Sequence, residues 1–291
     1  MSLPEQPSPL ASRLAALAQR VGLLGRGCKP IFERASQLQL PFSEIPTFGD
    51  NICWLGGPPL QRLKDLPRSA LSGPVQEDKA EAHAALVQLI EVEHRHLEQF
   101  DLRLVDSLVH CDGSYGSLED YAASEACRQI RIISYRDFLK HLSKALPEYP
   151  HQSLELFHAQ WRGERLFWAG ESHPEAFASA VAYARLRGLE ITLPAHITYY
   201  RISPDGLHDL QQRYHALAMP CAAWSDASFM QLLMEHEVPY ARLSLLRTPG
   251  APEFLLLPKH SPQACALGEG LLQAGAPDML GYVRELSDRF S

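Results

Sequence analysis

Residues 154–202 constrain the fold most, because the spacing of their apolar residues changes from one regular period to another and back. Leu154-Glu-Leu-Phe-His-Ala-Gln alternates as a half-buried strand does, and Leu166-Phe-Trp-Ala-Gly follows the link Trp161-Arg-Gly-Glu-Arg. Two apolar runs joined by a short, Gly-containing polar link predict an antiparallel hairpin. Gly170-Glu171-Ser172-His173-Pro174 breaks the alternation, and the Ala-rich run from Glu175 to Arg187 predicts a helix with Pro174 in its first turn. Leu193-Pro-Ala-His-Ile-Thr-Tyr-Tyr-Arg-Ile, β-branched and aromatic, predicts a strand that returns to the same sheet. A single strand-to-helix corner thus gathers glycine, acid, hydroxyl and imidazole. Helix N-termini leave backbone N–H groups unpaired, and the helix dipole there favours anions.

The rest of the chain alternates helical and extended patterns. Leu10, Leu14, Leu17 and Val21 give one apolar stripe ahead of Gly25 and Gly27, and residues 30–40 offer a second short helix. Residues 41–75 hold six prolines beside Phe42, Ile45, Ile52 and Trp54, which predicts an irregular arm packed on the surface. Residues 76–105 read as one long helix, with Leu86, Leu89, Ile90, Leu97, Phe100 and Leu104 on its buried face. Ser117 and Ser134 each stand three residues before an aspartate, Asp120 and Asp137, as helix starts do. A short strand is predicted at 130–133 and a helix from 204 to about Ala218. Beyond it come a helix at 225–236, strands at 240–246 and 253–257, and helices at 262–274 and 277–290. The alternation predicts a mixed α/β (α+β) fold with a small mixed sheet and accessory N-terminal helices. The expected organisation is a helical region with an irregular arm over 1–110, an α/β core over 111–220, and an α-β-β-α layer over 221–291.

With 46% apolar residues the chain can bury a core, and its net charge of −7 argues against non-specific nucleic-acid binding. Arg128, Arg131 and Arg136 form a local basic stretch. No apolar run reaches the length of a membrane span, and residues 1–9 lack the basic start and apolar core of a signal peptide. The six cysteines (28, 53, 111, 127, 221, 265) contain no Cys-x-x-Cys pair, so the expectation is a cytoplasmic chain with reduced thiols and no cysteine-built zinc site.

Other candidate chemistry carries less. Glu91 and His94 have the spacing of a carboxylate–histidine metal face on a helix, and His94 and Glu98 lie one turn apart. Another Glu-x-x-His, Glu155 to His158, falls on a predicted strand, so a solvated charged face is the expected role and no metal is assigned. Cys127 stands near Arg128 and Arg131, which can lower a thiol pKa, although a lone cysteine in an apolar setting is more often core. His141, His196, His208 and His215 are possible general bases with no nucleophile paired to them by sequence. Trp54, Trp161, Phe167, Trp168, Tyr199, Tyr200 and Trp224 are expected to pack across strands rather than stack bases, with Tyr199 and Tyr200 on opposite faces. The glycines at 22, 25 and 27, and at 268 and 270, lack the context of a phosphate loop.

The order strand, helix, hairpin, Gly170-Glu-Ser-His, Ala-rich helix, strand resembles the ParB/sulfiredoxin-type fold over residues 128–203. Gly170 falls on the family glycine and Glu171 on the acid of the ParB-type corner. Aligned through His173, Ser172 stands where sulfiredoxins carry cysteine, and Ala176, Ala178, Ala180 and Ala182 supply the small-residue helix. The chain departs from the family after His173, where Pro174 and Glu175 replace the phosphate-holding arginine. The resemblance implies a bacterial binding or regulatory protein that takes a small anionic ligand or a protein partner. Gly170, Ser172 and Arg136 are then the ligand-binding candidates, and Glu171 and His173 the catalytic ones. The alternative it implies is a nucleotide-binding enzyme of NTPase or kinase-like type. Mg²⁺ would be its cofactor, with Glu171 as base or metal ligand.

Overall fold

The computed structural model describes residues 28–48, 50–54, 58–245 and 252–289. They form a mixed α+β fold that divides into two units. Among the described residues the strands are β1 (Leu71–Ser72), β2 (Ile90–Asp101), β3 (Ser107–Leu108), β4 (Leu154–Ala159) and β5 (Phe167–Trp168). They continue with β6 (Thr192–Ile202), β7 (Tyr214–Met219), β8 (Ala241–Leu243) and β9 (Glu253–Pro258). The helices are α1 (Lys29–Ser36), α2 (Gln76–Val87), α3 (Leu118–Ala122), α4 (Tyr135–Ala145) and α5 (Pro174–Arg187). They end with α6 (Pro204–Arg213), α7 (Ala227–Glu235), α8 (Pro262–Gln273) and α9 (Met279–Arg289). The expected helix over residues 10–21 and the glycines at 22, 25 and 27 lie outside the described residues.

One unit comprises residues 28–45, Pro67–Ala85 and His208–Tyr282. Its sheet has the order β1-β8-β9-β7, antiparallel throughout. Leu217 and Met219 of β7, Leu255 and Leu257 of β9, Phe229 and Leu232 of α7, and Leu267 and Leu271 of α8 make its core. Helix α1 adds Ile31, Phe32 and Ala35 to that core. A Cβ on Gly270 of α8 would lie 2.6 Å from the Ala35 methyl and 2.8 Å from the Phe32 carbonyl oxygen, so glycine lets α1 and α8 approach at that point.

The other unit comprises Pro46–Leu66, Leu86–Leu207 and residues 283–289. Its five-stranded mixed sheet has the order β2-β6-β4-β5-β3. The hairpin forms as its sequence predicts. β4 and β5 are antiparallel with Leu156 opposite Trp168, and Gly163, at a φ of 70°, turns the link. Helix α5 follows and ends on Gly188 in the left-handed conformation, and β6 returns parallel to β4 with Ile197 beside Leu156. Phe138 and Leu142 of α4 and Phe177 and Val181 of α5 cover Leu154, Leu156 and Ile197. The capping box of Ser134 and Asp137 opens α4, and Ser117 caps α3.

Three local expectations are corrected. Residues 76–105 are not one helix, because α2 stops at Val87 and β2 starts at Ile90. From there β2 pairs residue by residue with β6, with Val92 opposite Tyr200, His94 opposite Thr198 and His96 opposite His196. The Ser203 N–H bonds the Leu89 carbonyl at 2.9 Å, which ties the end of β6 to the start of β2. The helix-like period comes from Leu86, Leu89 and Ile90, which are buried on either side of the junction. Leu97 and Leu104 stand 39% and 57% exposed. In the same way α6 stops at Arg213, and Tyr214–Met219 is a strand whose register on β9 runs from Tyr214 opposite Pro258 to Met219 opposite Glu253. Residues 130–133 form no strand, and Ile133 is exposed.

The expectation of uniformly reduced thiols is also corrected. Cys53 and Cys111, both buried, are joined as a disulfide. Of the remaining cysteines, Cys28 and Cys127 are buried, Cys265 is partly buried and Cys221 is exposed. No described helix is long and apolar enough to cross a membrane.

Candidate functional site

The corner between β5 and α5 is built by a ring stack beneath it. Trp168 lies flat on Phe177 of α5, with 3.8 Å between ring centroids and 7° between planes. The Trp168 indole also runs beside Gly170, closer than any side-chain Cβ there would tolerate. Gly170 therefore has a packing role independent of any ligand. The Val109 N–H bonds the Trp168 carbonyl at 2.8 Å, and the Ala169 N–H bonds the Glu155 carbonyl at 2.8 Å, which fixes the strand end that leads into the corner.

Glu171, Ser172 and His173 are all exposed. His173 occupies the N-cap of α5 in the left-handed region (φ 51°, ψ 57°), and no side chain caps the helix there. A left-handed backbone at a non-glycine residue stores strain and is uncommon outside turns and functional sites. The His173 carbonyl accepts the N–H groups of Ala176 and Phe177 at 3.0 Å each. Its Nδ1 lies 3.0 Å from Glu175 Oε1, so the imidazole is held against the first turn. The Glu175 carbonyl in turn accepts Ser179 Oγ at 2.8 Å and Cys127 Sγ at 3.7 Å. Arg136 is exposed in the first turn of α4, which packs on α5. The corner therefore offers a strained, uncapped N-terminus of a 14-residue helix to solvent, with an acid, a hydroxyl and an imidazole around it.

The remaining candidates disperse. On strand β2, Glu91 and His94 point to opposite faces, so the spacing that makes a metal face on a helix does not make one here. His94 Nδ1 meets Thr198 Oγ1 at 3.2 Å and His96 Nε2 meets Glu98 Oε1 at 3.2 Å. Burial pushes the Cys127 thiol up, opposite to an activated thiolate, and Arg128 pairs with Glu125 instead. Burial lowers the pKa of both His141 and His158. The aromatics pack. Trp54 meets Phe167 edge-on at 4.8 Å and Tyr200 at 6.3 Å, while Tyr199 faces His158 and Arg95 on the other side of the sheet.

One convergence escapes sequence reading. His215 of β7 meets Cys265 and Glu269 of α8, with a ligand atom of each within 4.8 Å of the others. The Cys265-x-x-x-Glu269 spacing on an apolar helix was visible in the sequence. Its third member was not, because only the sheet brings position 215 beneath the helix.

Residues 95–291, more than half of the chain, match the model of a family of unknown function, DUF6685. No curated protein and no solved structure matches the chain. The corner, the helix that follows it and the His215–Cys265–Glu269 group all lie within the matched residues. The chain belongs to the DUF6685 family.

Proposed function

We propose that the protein is a binding or regulatory protein on a ParB/sulfiredoxin-like scaffold, and that the corner at Gly170–His173 receives a small anionic ligand, free or carried by a protein partner. The observation that carries this reading is the uncapped, strained N-terminus of α5 at exposed His173. Pro174 has no N–H and Ala176 and Phe177 donate theirs to the His173 carbonyl, so it is the positive end of the helix dipole there that favours an anion. The order of hairpin, corner, helix and parallel strand supports the scaffold reading. Binding is favoured over catalysis because Glu171 and Ser172 are exposed to solvent and the His173 imidazole is engaged with Glu175. The proposed setting is the cytoplasm. The Cys53–Cys111 bond opposes it, since cytosolic thiols are kept reduced.

The test is amide-resolved NMR titration of the full chain with inorganic phosphate, then with ATP in the presence and absence of Mg²⁺. Saturable shifts confined to the amides of residues 171–173 and 175–177 are expected with phosphate alone. Shifts that need Mg²⁺ and ATP together, and vanish in Glu171→Gln, would replace this reading by the nucleotide-enzyme alternative. Unmoved corner amides in every titration would remove the site.

A further inference from the structure

We propose that His215, Cys265 and Glu269 form a binding site for one divalent ion of the zinc class, a site separate from the β5–α5 corner. His215 projects from β7 on the same face as Leu217 and Met219, towards α8. Helix α8 presents glycine where the imidazole arrives, since a Cβ on Gly268 would lie 2.7 Å from the His215 ring. One turn apart on the same helix, Cys265 and Glu269 flank that gap. Cys265 Sγ lies 3.6 Å from His215 Nε2 and 4.0 Å from Glu269 Oε1.

These separations fit a tetrahedral ion. Zn–S of about 2.3 Å and Zn–N of about 2.0–2.1 Å place sulfur and nitrogen about 3.5 Å apart across a tetrahedral angle. Thiolate, imidazole and carboxylate together are the donor set of a borderline-soft divalent ion. Three protein ligands leave one tetrahedral position for water or a ligand group.

One observation beside the geometry favours a bound cation. Among the described residues Glu269 Oε2 is buried and has no hydrogen-bond partner. An unpaired buried carboxylate oxygen is costly, and a bound cation removes that cost.

The test uses the full chain, stripped with a chelator, and Co²⁺ as a spectroscopic substitute for Zn²⁺. One equivalent of Co²⁺ is expected to give a thiolate-to-cobalt charge-transfer band, and Zn²⁺ should displace it. Cys265→Ser should abolish the band. His215→Gln or Glu269→Gln should weaken Co²⁺ binding at least about tenfold. A second measurement needs no variant: Zn²⁺ should slow alkylation of Cys265 in the native chain while leaving exposed Cys221 unaffected. A band that persists in Cys265→Ser, or a Cys265 alkylation rate that Zn²⁺ does not change, would overturn the proposal.

Discussion

Trp168 and Phe177 stack at 3.8 Å with nearly parallel rings, so the strand before the corner and the helix after it share one aromatic pair. The same indole occupies the space that a side chain at Gly170 would need. Gly170→Ala is therefore expected to destabilise the protein by about 1–3 kcal/mol through overpacking. Urea unfolding measures this. Unchanged stability with weakened phosphate binding would return Gly170 to the ligand site alone.

The exchange of helix for strand after Val87 changes which side chains matter. Leu97→Ala, on the exposed face of β2, is expected to change stability by no more than about 0.5 kcal/mol. Ile90→Ala, fully buried at the start of the strand, should cost about 2–5 kcal/mol. Equal costs at the two positions would contradict the β2–β6 register.

Arg162 is buried in the unit with the five-stranded sheet, where its Nη2 donates to the carbonyls of Asn51 at 2.9 Å and Cys53 at 2.7 Å. Its guanidinium lies over the rings of Phe48 and Phe167, and burial pushes its pKa down to about 10, so it stays charged at neutral pH. Arg162→Met keeps much of the apolar stem and leaves both carbonyls unpaired, at a cost of about 2–3 kcal/mol in urea unfolding. A fully stable Arg162→Met variant would show that those carbonyls find other partners.

His141 and His158 fix the direction of the pH response. Burial lowers both, reinforced at His141 by Lys144 and Lys140 and at His158 by Arg201, while Asp137 and Glu164 oppose it. The unfolded chain then binds more protons than the folded one below the ordinary histidine value of about 6.5. Their contribution is complete above that pH and declines as pH falls through it towards the lower folded values. The Asp101 carboxylate, held low by Arg103, acts in a separate window below about pH 4. Thermal midpoints recorded from pH 8 to pH 5 should fall, and the combined His141→Gln, His158→Gln variant should show a shallower fall. A wild-type profile flat across that range would refute the assignment.

The Cys53–Cys111 bond spans a sequence separation of 58 residues. Constraining an unfolded loop of that length is worth about 4 kcal/mol by chain entropy. Cys53→Ser or Cys111→Ser, or reduction of the native chain, should lower stability by about 2–4 kcal/mol. Denaturation without reductant should leave these two sulfurs resistant to alkylation, and mass mapping reads this directly. Alkylation of both would show free thiols.

Sequence reading succeeded where local signals agreed with tertiary ones. The hairpin at β4–β5, the helix opened by Pro174 and the caps at Ser117 and Ser134 all follow from turn glycine, proline and capping chemistry within a few residues. It failed where pairing from a distance overrode propensity. Glu91-Val-Glu-His-Arg-His reads as a charged helix face until β6, a hundred residues later, supplies the opposite ladder. Tyr214–Met219 is apolar enough to continue α6, and its partner β9 lies beyond α7. The Cys53–Cys111 pair and the His215–Cys265–Glu269 group were hidden for the same reason. The disulfide has no local spacing, the group shows only its Cys265–Glu269 part locally, and each is completed only because separated elements meet.

Helix α1 shows what that non-local assembly means for a chain being synthesised. Ile31, Phe32 and Ala35 are buried with residues of α8, whose Gly270 lies against Phe32 and Ala35. These side chains leave the ribosome well before α8, and their cover is complete only once Gln273 has been made. At translation rates of about 5–20 residues per second, that wait is on the order of ten to fifty seconds. For that interval Ile31, Phe32 and Ala35 are without their native cover, which makes the α1 segment a place where a chaperone's hold would count.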